Sequence, residues 1–82
     1  MRYALVRVID REVNILAESD NDRDIEKAMW EDILKHFSQE EWDELYNYPQ
    51  YAKADFVDDG DLYAWANYKD SQYDWVCVEI GE

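Results

Sequence analysis

Two runs of alternating residues near the C-terminus, within residues 62–80, constrain the fold more than any other feature. Successive side chains of a strand face opposite sides of a sheet, so each run predicts a strand, with a polar turn at residues 69–72. One side of these strands is small or aliphatic: Leu62, Ala64, Ala66, Val76, Val78 and Ile80. The other side is largely aromatic: Tyr63, Trp65, Tyr73 and Trp75. We expect helices to pack on the aliphatic side, where Ala64 and Ala66 permit close approach, and the rings to lie on the far side. The inverted assignment, with the rings beneath the helices, is the alternative.

The N-terminal residues predict a second hairpin. Residues 2–9 are rich in β-branched and apolar side chains on both faces, which is typical of a central strand. Asp10 and Arg11, or their neighbours, supply the turn, and residues 12–17 return as a more edge-like strand.

The middle of the chain predicts two helices. Apolar residues between 23 and 37 recur every three or four positions, as one face of a helix requires. Ser38 and Glu41 match a capping box that begins a second helix, and Pro49 ends it. Residues 51–57 fit either a short strand or an extended connector, followed by a turn. The predicted fold is α+β, one domain over residues 1–82, with an antiparallel four-stranded sheet, two helices on one face and ββααββ order.

Composition narrows the class of protein. With 48% hydrophobic residues the 82-residue chain should fold, and its size allows only one core. The single cysteine, Cys77, permits no internal disulfide, and no apolar run approaches the ~20 residues that cross a bilayer. We therefore expect a soluble, cytoplasmic protein with no membrane partner.

The formal net charge of −13 is concentrated in the middle of the chain. Residues 18–61 contain fifteen acidic and four basic side chains. Phosphates would be repelled, so direct binding to nucleic acid is not expected, whereas a basic groove that normally holds nucleic acid would attract such a surface. The carboxylates predicted to bind this partner are Asp20, Asp22, Asp24, Glu26, Glu31, Asp32, Glu40, Glu41, Asp43 and Glu44. The rings predicted to add apolar contact are Tyr63, Trp65, Tyr73 and Trp75, because Tyr and Trp dominate interface hot spots.

Catalysis, cofactors and metals have little support. The only histidine, His36, has no marked partner, and Cys77 lies between valines with no base nearby. The only glycines are Gly60 and Gly81, so no phosphate-binding glycine loop is present. The cluster of Asp55, Asp58, Asp59 and Asp61 suggests calcium, but its spacing does not match an EF-hand and a solvated turn is favoured. We predict a non-enzymatic protein without a cofactor.

An alternative interpretation uses the aromatic face differently. Seven Tyr and four Trp exceed what one small core can hide, so a ring-bearing sheet face is a candidate for homodimerisation or an adaptor contact. The acidity would then serve only to keep the dimer soluble.

Three segments of the sequence resemble a known group of proteins, but the resemblance assigns no role to any residue. The segments RYALVRVIDRE, DLYAWANYKDSQYDW and VCVEI resemble a group of short, uncharacterised acidic proteins of bacterial mobile elements. In size and charge alone the chain is similar to phage-borne inhibitors that imitate DNA, among them anti-restriction, anti-CRISPR and uracil-glycosylase inhibitor proteins. The group that the sequence resembles carries no known activity, so it assigns no functional residue, and the likeness to DNA mimics is an analogy of composition only.

Overall fold

The computed structural model describes residues 2–55 and 62–81. Its elements, in chain order, are β1 (Arg2–Ile9), β2 (Glu12–Ser19), α1 (Asp22–His36), α2 (Gln39–Tyr46), β3 (Ala52–Asp55), β4 (Tyr63–Tyr68) and β5 (Ser71–Gly81). The fold is α+β, with one antiparallel sheet in the order β2-β1-β5-β4-β3. No helix in the described ranges is long and apolar enough to cross a membrane.

The prediction of four strands in ββααββ order is wrong, because the described residues form five strands and two helices in the chain order ββααβββ. The additional strand, β3, comes from the segment that fitted either a strand or a connector. It pairs with β4 so that Ala52 lies opposite Ala66 and Ala54 opposite Ala64. Four residues are a weak strand signal even though Ala52 and Ala54 alternate with Lys53 and Asp55, because all three residue types are depleted in strands. Pairing with β4 supplies the hydrogen bonds that make the segment a strand. The predicted aspartate turn at residues 58–61 lies outside the described residues.

The first hairpin is fixed at its turn and irregular at its outer edge. Asp10 and Arg11 have φ angles of 48° and 76°, as the two central residues of a type I′ turn require. The carboxylate of Asp10 accepts a hydrogen bond from the backbone N–H of Gln72 (2.9 Å), which ties the turn to the second hairpin. In β2 the register shifts between Ile15 and Ala17, so Leu16 has no partner in β1. This bulge on an edge strand hinders pairing with another chain.

Each helix begins at a residue whose side chain caps it. Asn21 caps α1 by accepting from the N–H of Arg23 (2.9 Å). The predicted capping box of α2 is confirmed, since Ser38 Oγ accepts from the N–H of Glu41 (3.1 Å) and Glu41 Oε1 accepts from the N–H of Ser38 (2.9 Å). These reciprocal bonds satisfy backbone donors that would otherwise be exposed at the start of α2.

The helices cover one face of the sheet, and strand register decides which rings lie beneath them. Ala64 pairs with Trp75 and Ala66 with Tyr73, so the two rings share the alanine side. Trp75 is fully buried, with its ring 6.4 Å from that of Trp42 in α2. The prediction that Tyr73 and Trp75 lie on the far face is therefore wrong: alanine positions leave the space that these rings fill.

The other half of that prediction is confirmed. Ala64 and Ala66 face the helices, while Tyr63 pairs with Val76 and Trp65 with Asp74 on the helix-free face. The resulting core lies between helices and sheet, with these residues: Leu5, Ile25, Met29, Ile33, Phe37, Trp42, Ala52, Leu62, Ala64, Ala66, Trp75 and Cys77.

Candidate functional site

The helical layer presents a carboxylate surface to solvent. Nine acidic and three basic residues lie within α1 and α2. Of the predicted contact residues in these helices, the exposed ones are Asp24, Glu31, Glu40, Glu41, Asp43 and Glu44, and the half-buried ones are Asp22 and Glu26. Asp20, just before α1, is exposed and accepts from Arg2 Nη1 (3.0 Å). Several carboxylates on one layer can therefore meet one basic surface together.

Asp32 is not part of that surface. Only 6% of this residue is exposed, and its carboxylate accepts from Arg7 Nη1 (3.0 and 3.1 Å) and from Trp75 Nε1 (2.8 Å). A carboxylate that is buried must be paired, and here α1 is joined to β1 and β5 by that pairing. Asp32 therefore has a structural role inside the fold instead of the predicted contact with a partner. The sequence alone does not show this, because Asp32 is one of several acidic residues on the same helix.

His36 lies one helical turn after Asp32 and completes this group. Its Nδ1 is 2.9 Å from the backbone oxygen of Asp32 and 3.8 Å from the carboxylate. Its ring contacts those of Tyr73 and Trp75 edge-on, at 5.7 and 6.3 Å between centroids. The histidine thus packs against the sheet near the C-terminal end of α1.

The helix-free face of the sheet carries an aliphatic row. Across four strands Ile15, Val6, Val76 and Tyr63 lie side by side in register. Ile15 is 66% exposed and its neighbour Val13 63%. Trp65 is half-buried on this face. This face was predicted to be aromatic but is mainly aliphatic. β4 contributes Tyr63 and Trp65 to it, whereas β5 contributes Val76 and places Tyr73 and Trp75 on the opposite side.

One carboxylate interrupts this face. Asp74 lies between Val8 of β1 and Trp65 of β4, and burial raises the pKa of its carboxyl group. A charge placed among apolar neighbours opposes further burial of the face at neutral pH.

A third feature, which the sequence analysis missed, is a cleft at the C-terminal end of α2. It has a volume of about 240 Å³ and is lined by Glu41, Glu44, Leu45, Tyr48, Tyr51 and Tyr68. Tyr48 and Tyr51 are 52% and 46% exposed, and their ring centroids are 5.9 Å apart. The sequence does contain a signal for this cleft. Tyr48 and Tyr51 lie on either side of Pro49, beyond the end of the apolar stripe of α2, so their rings are not expected to be buried in the core.

In the described residues no group of three His, Cys, Asp or Glu side chains is arranged to hold a metal ion. Asp58, Asp59 and Asp61 of the suggested calcium cluster lie outside the described residues. Cys77 is buried, as its position in a strand predicts.

The fold and surfaces define a small acidic α+β protein whose two helices cover one face of a five-stranded antiparallel sheet. No family model, no curated protein and no solved structure matches the chain.

Proposed function

We propose that this chain is a non-enzymatic interaction protein that binds a basic, nucleic-acid-binding protein and competes with nucleic acid for it. The observation that carries the proposal is the helical layer, on which exposed carboxylates are spread over both helices of a chain with a net charge of −13. Anti-CRISPR and anti-restriction inhibitors of mobile elements are the type of protein to which this proposal assigns it.

The physical basis is counterion release. A basic groove that holds nucleic acid carries condensed anions, and a polyanionic protein surface displaces them as the phosphate backbone does. Such binding is steered by charge and falls steeply as salt rises. Because α1 is anchored to the sheet by Asp32 and α2 by Trp42, the helix backbones that carry the carboxylates are ordered before a partner binds. Binding therefore does not have to order these backbones.

The test compares two variants of equal net charge. Glu31→Gln, Glu40→Gln and Asp43→Asn together remove three exposed charges from the helical layer. The matched control, Glu12→Gln, Asp70→Asn and Glu79→Gln, removes three exposed charges from outside it. Both variants have a formal net charge three units less negative than the parent chain, so only the position of the charge differs.

Immobilised parent and variant chains are exposed to nuclease-treated bacterial lysate at low salt and eluted with a salt gradient. We expect basic nucleic-acid-binding proteins to be retained, to be displaced by added duplex DNA, and to leave the helical-layer variant at lower salt than the control. Retention that is unchanged at high salt, or two variants that behave alike, would contradict the proposal.

A second candidate function is homodimerisation through the helix-free face. The aliphatic row favours it, since half-exposed Val and Ile side chains that become buried contribute about 1 kcal/mol each. Salt should act in the opposite direction here, because two copies with a net charge of −13 repel each other and screening favours their association.

Sedimentation at 50 and 500 mM NaCl measures this directly. Dimerisation should strengthen at the higher salt and be lost in Ile15→Ser but not in Leu34→Ser, an exposed apolar position on α1 that serves as control. A monomer at both salt concentrations and high micromolar protein would exclude the dimer.

A further inference from the structure

Building on the proposed interaction with a basic protein, we propose that the cleft beyond α2 receives the guanidinium group of one arginine side chain of that partner. Three tyrosines and two glutamates line the cleft, and its volume of about 240 Å³ suits one long side chain. Aromatic faces attract cations through the ring quadrupole, and carboxylates pair with the N–H fork of arginine. The lining thus offers both kinds of contact that this group makes.

The backbone turn that carries Tyr48 and Tyr51 is held in place before any partner binds. The N–H of Tyr51 donates to the carbonyl oxygen of Tyr48 (2.8 Å), and the carbonyl of Tyr51 accepts from the N–H of Asn67 in β4 (2.7 Å). Pro49 restricts the backbone of the turn between the two rings. A turn fixed in this way loses little entropy when its rings are covered, so contact energy is retained as affinity.

The two glutamates that line the cleft, Glu41 and Glu44, have different roles. Glu41 is held by the N–H of Ser38 and lies 3.3 Å from the hydroxyl of Tyr68, and its hydrogen bond with Ser38 lowers the pKa of its carboxyl group. Glu44 is exposed and makes no hydrogen bond or ion pair within the part of the chain that the structure describes. Glu41 therefore supplies a fixed negative charge, and Glu44 is available to pair with an incoming guanidinium.

The surroundings favour a cation as well. The last turn of α2 contains no basic residue of its own, so no side chain within that turn offsets its carbonyl dipoles. The hydrogen bonds of Ser38 and, to a smaller extent, the charge of Lys69 lower the pKa of the Glu41 carboxyl group, so Glu44 is the carboxylate left for an incoming cation. Lys69 Nζ lies 5.3 Å from the ring centroid of Tyr68, which shows that this ring already accepts a cation of the chain itself. Arginine suits the remaining rings better than lysine, because its planar group stacks on aromatic faces and is more weakly hydrated.

The experiment uses three short peptides, acetyl-Gly-X-Gly-amide, in which X is arginine, lysine or citrulline, the neutral analogue of arginine. Each is titrated into the full chain, and backbone amide shifts are followed by NMR. We expect the arginine peptide to shift amides around Glu44, Tyr48 and Tyr51, lysine to bind more weakly, and citrulline to produce no saturable shift.

Matched variants locate the site. Tyr48→Ala should weaken arginine binding by about 2- to 5-fold, the range of one exposed cation–π contact, whereas Tyr48→Phe retains the ring and the affinity. The control is Tyr46→Ala, since Tyr46 is equally exposed at 49% but borders a different cleft. Glu44→Gln should weaken binding more than Glu40→Gln, which removes an exposed charge that does not line the cleft. The melting temperature of each variant confirms that the fold is intact.

Shifts spread evenly over the acidic helices, equal binding of citrulline, or equal effects of Tyr46→Ala and Tyr48→Ala would each overturn the arginine site. The two proposals fail separately. Retention of basic proteins by the helical layer tests the function without the cleft, because none of the charge variants used there alters a residue that lines it.

Discussion

Replacing Asp32 with alanine tests the buried group that joins α1 to the sheet. The change leaves the Arg7 guanidinium and the Trp75 indole N–H without their acceptor, in a site where Asp32 is 6% exposed. Removing one partner of a buried ion pair costs about 3–5 kcal/mol. The side chain of Arg7 keeps 19% of its exposure and so regains some solvation, which places the expected loss at the lower end, about 3 kcal/mol.

A loss of that size is large for this chain. At ~0.05–0.15 kcal/mol per residue, 82 residues correspond to a stability of about 4–12 kcal/mol. For a domain of this size each kcal/mol lowers the melting temperature by about 4–8 °C, so Asp32→Ala should melt about 12–24 °C below the parent. Thermal melting by circular dichroism and urea unfolding followed by tryptophan fluorescence measure the two quantities.

The neighbouring residue provides the control. Glu31→Ala removes an exposed carboxylate from the same helix and should change the free energy of unfolding by less than about 0.5 kcal/mol. Replacing Arg7 as well, Arg7→Met with Asp32→Leu, should recover part of the loss, because no charge is then left unpaired while the buried Trp75 indole N–H still lacks its acceptor. If Asp32→Ala is no more destabilising than Glu31→Ala, the buried pair does not hold α1 on the sheet as described.

Two further predictions concern single groups. Ser38→Ala removes the hydroxyl half of the capping box and should lower the free energy of unfolding by about 1 kcal/mol in urea, while Gln39→Ala, one residue later, should have a smaller effect. Asp74 has a folded-state pKa above that of the unfolded chain, so the folded state binds the extra proton. Stability should therefore fall as pH rises from the ordinary aspartate pKa of about 3.9 through the higher folded-state pKa. Asp74→Asn should abolish that part of the pH dependence in urea unfolding between pH 3 and 7, and an unchanged profile would show that burial of this carboxyl group is not its cause.

Local features of the fold were readable along the chain. The 3–4 spacing of Ile25, Met29 and Ile33 predicted α1, and all three are fully buried. The capping box at Ser38 and the turn at Asp10 and Arg11 were equally direct, since each depends on residues close in sequence. The fifth strand was not, because β3 becomes a strand only where β4 supplies a partner.

The surfaces were predicted less well, for reasons that lie in packing. The exposed carboxylates of α1 and α2 follow from their positions outside the apolar stripes, whereas Asp32 has a position that turns toward the sheet and meets Arg7 and Trp75, 25 and 43 residues away. The tyrosine cleft combines the end of α2, the turn after it and Tyr68 of β4. Contacts between residues so far apart in sequence leave no periodic pattern to read.

The sequence by itself determined that each C-terminal strand has one small or aliphatic side and one aromatic side, because side chains alternate along any strand. Only the tertiary structure decided how those sides combine: Ala64 pairs with Trp75, so Tyr73 and Trp75 of β5 lie on the core side and Tyr63 and Trp65 of β4 face outward. A shift of one residue in pairing would have reversed the sides, since register has a period of two. The Trp75 indole is fully buried on the alanine side of the sheet and donates to Asp32. This packing stabilises the observed register over a shifted one.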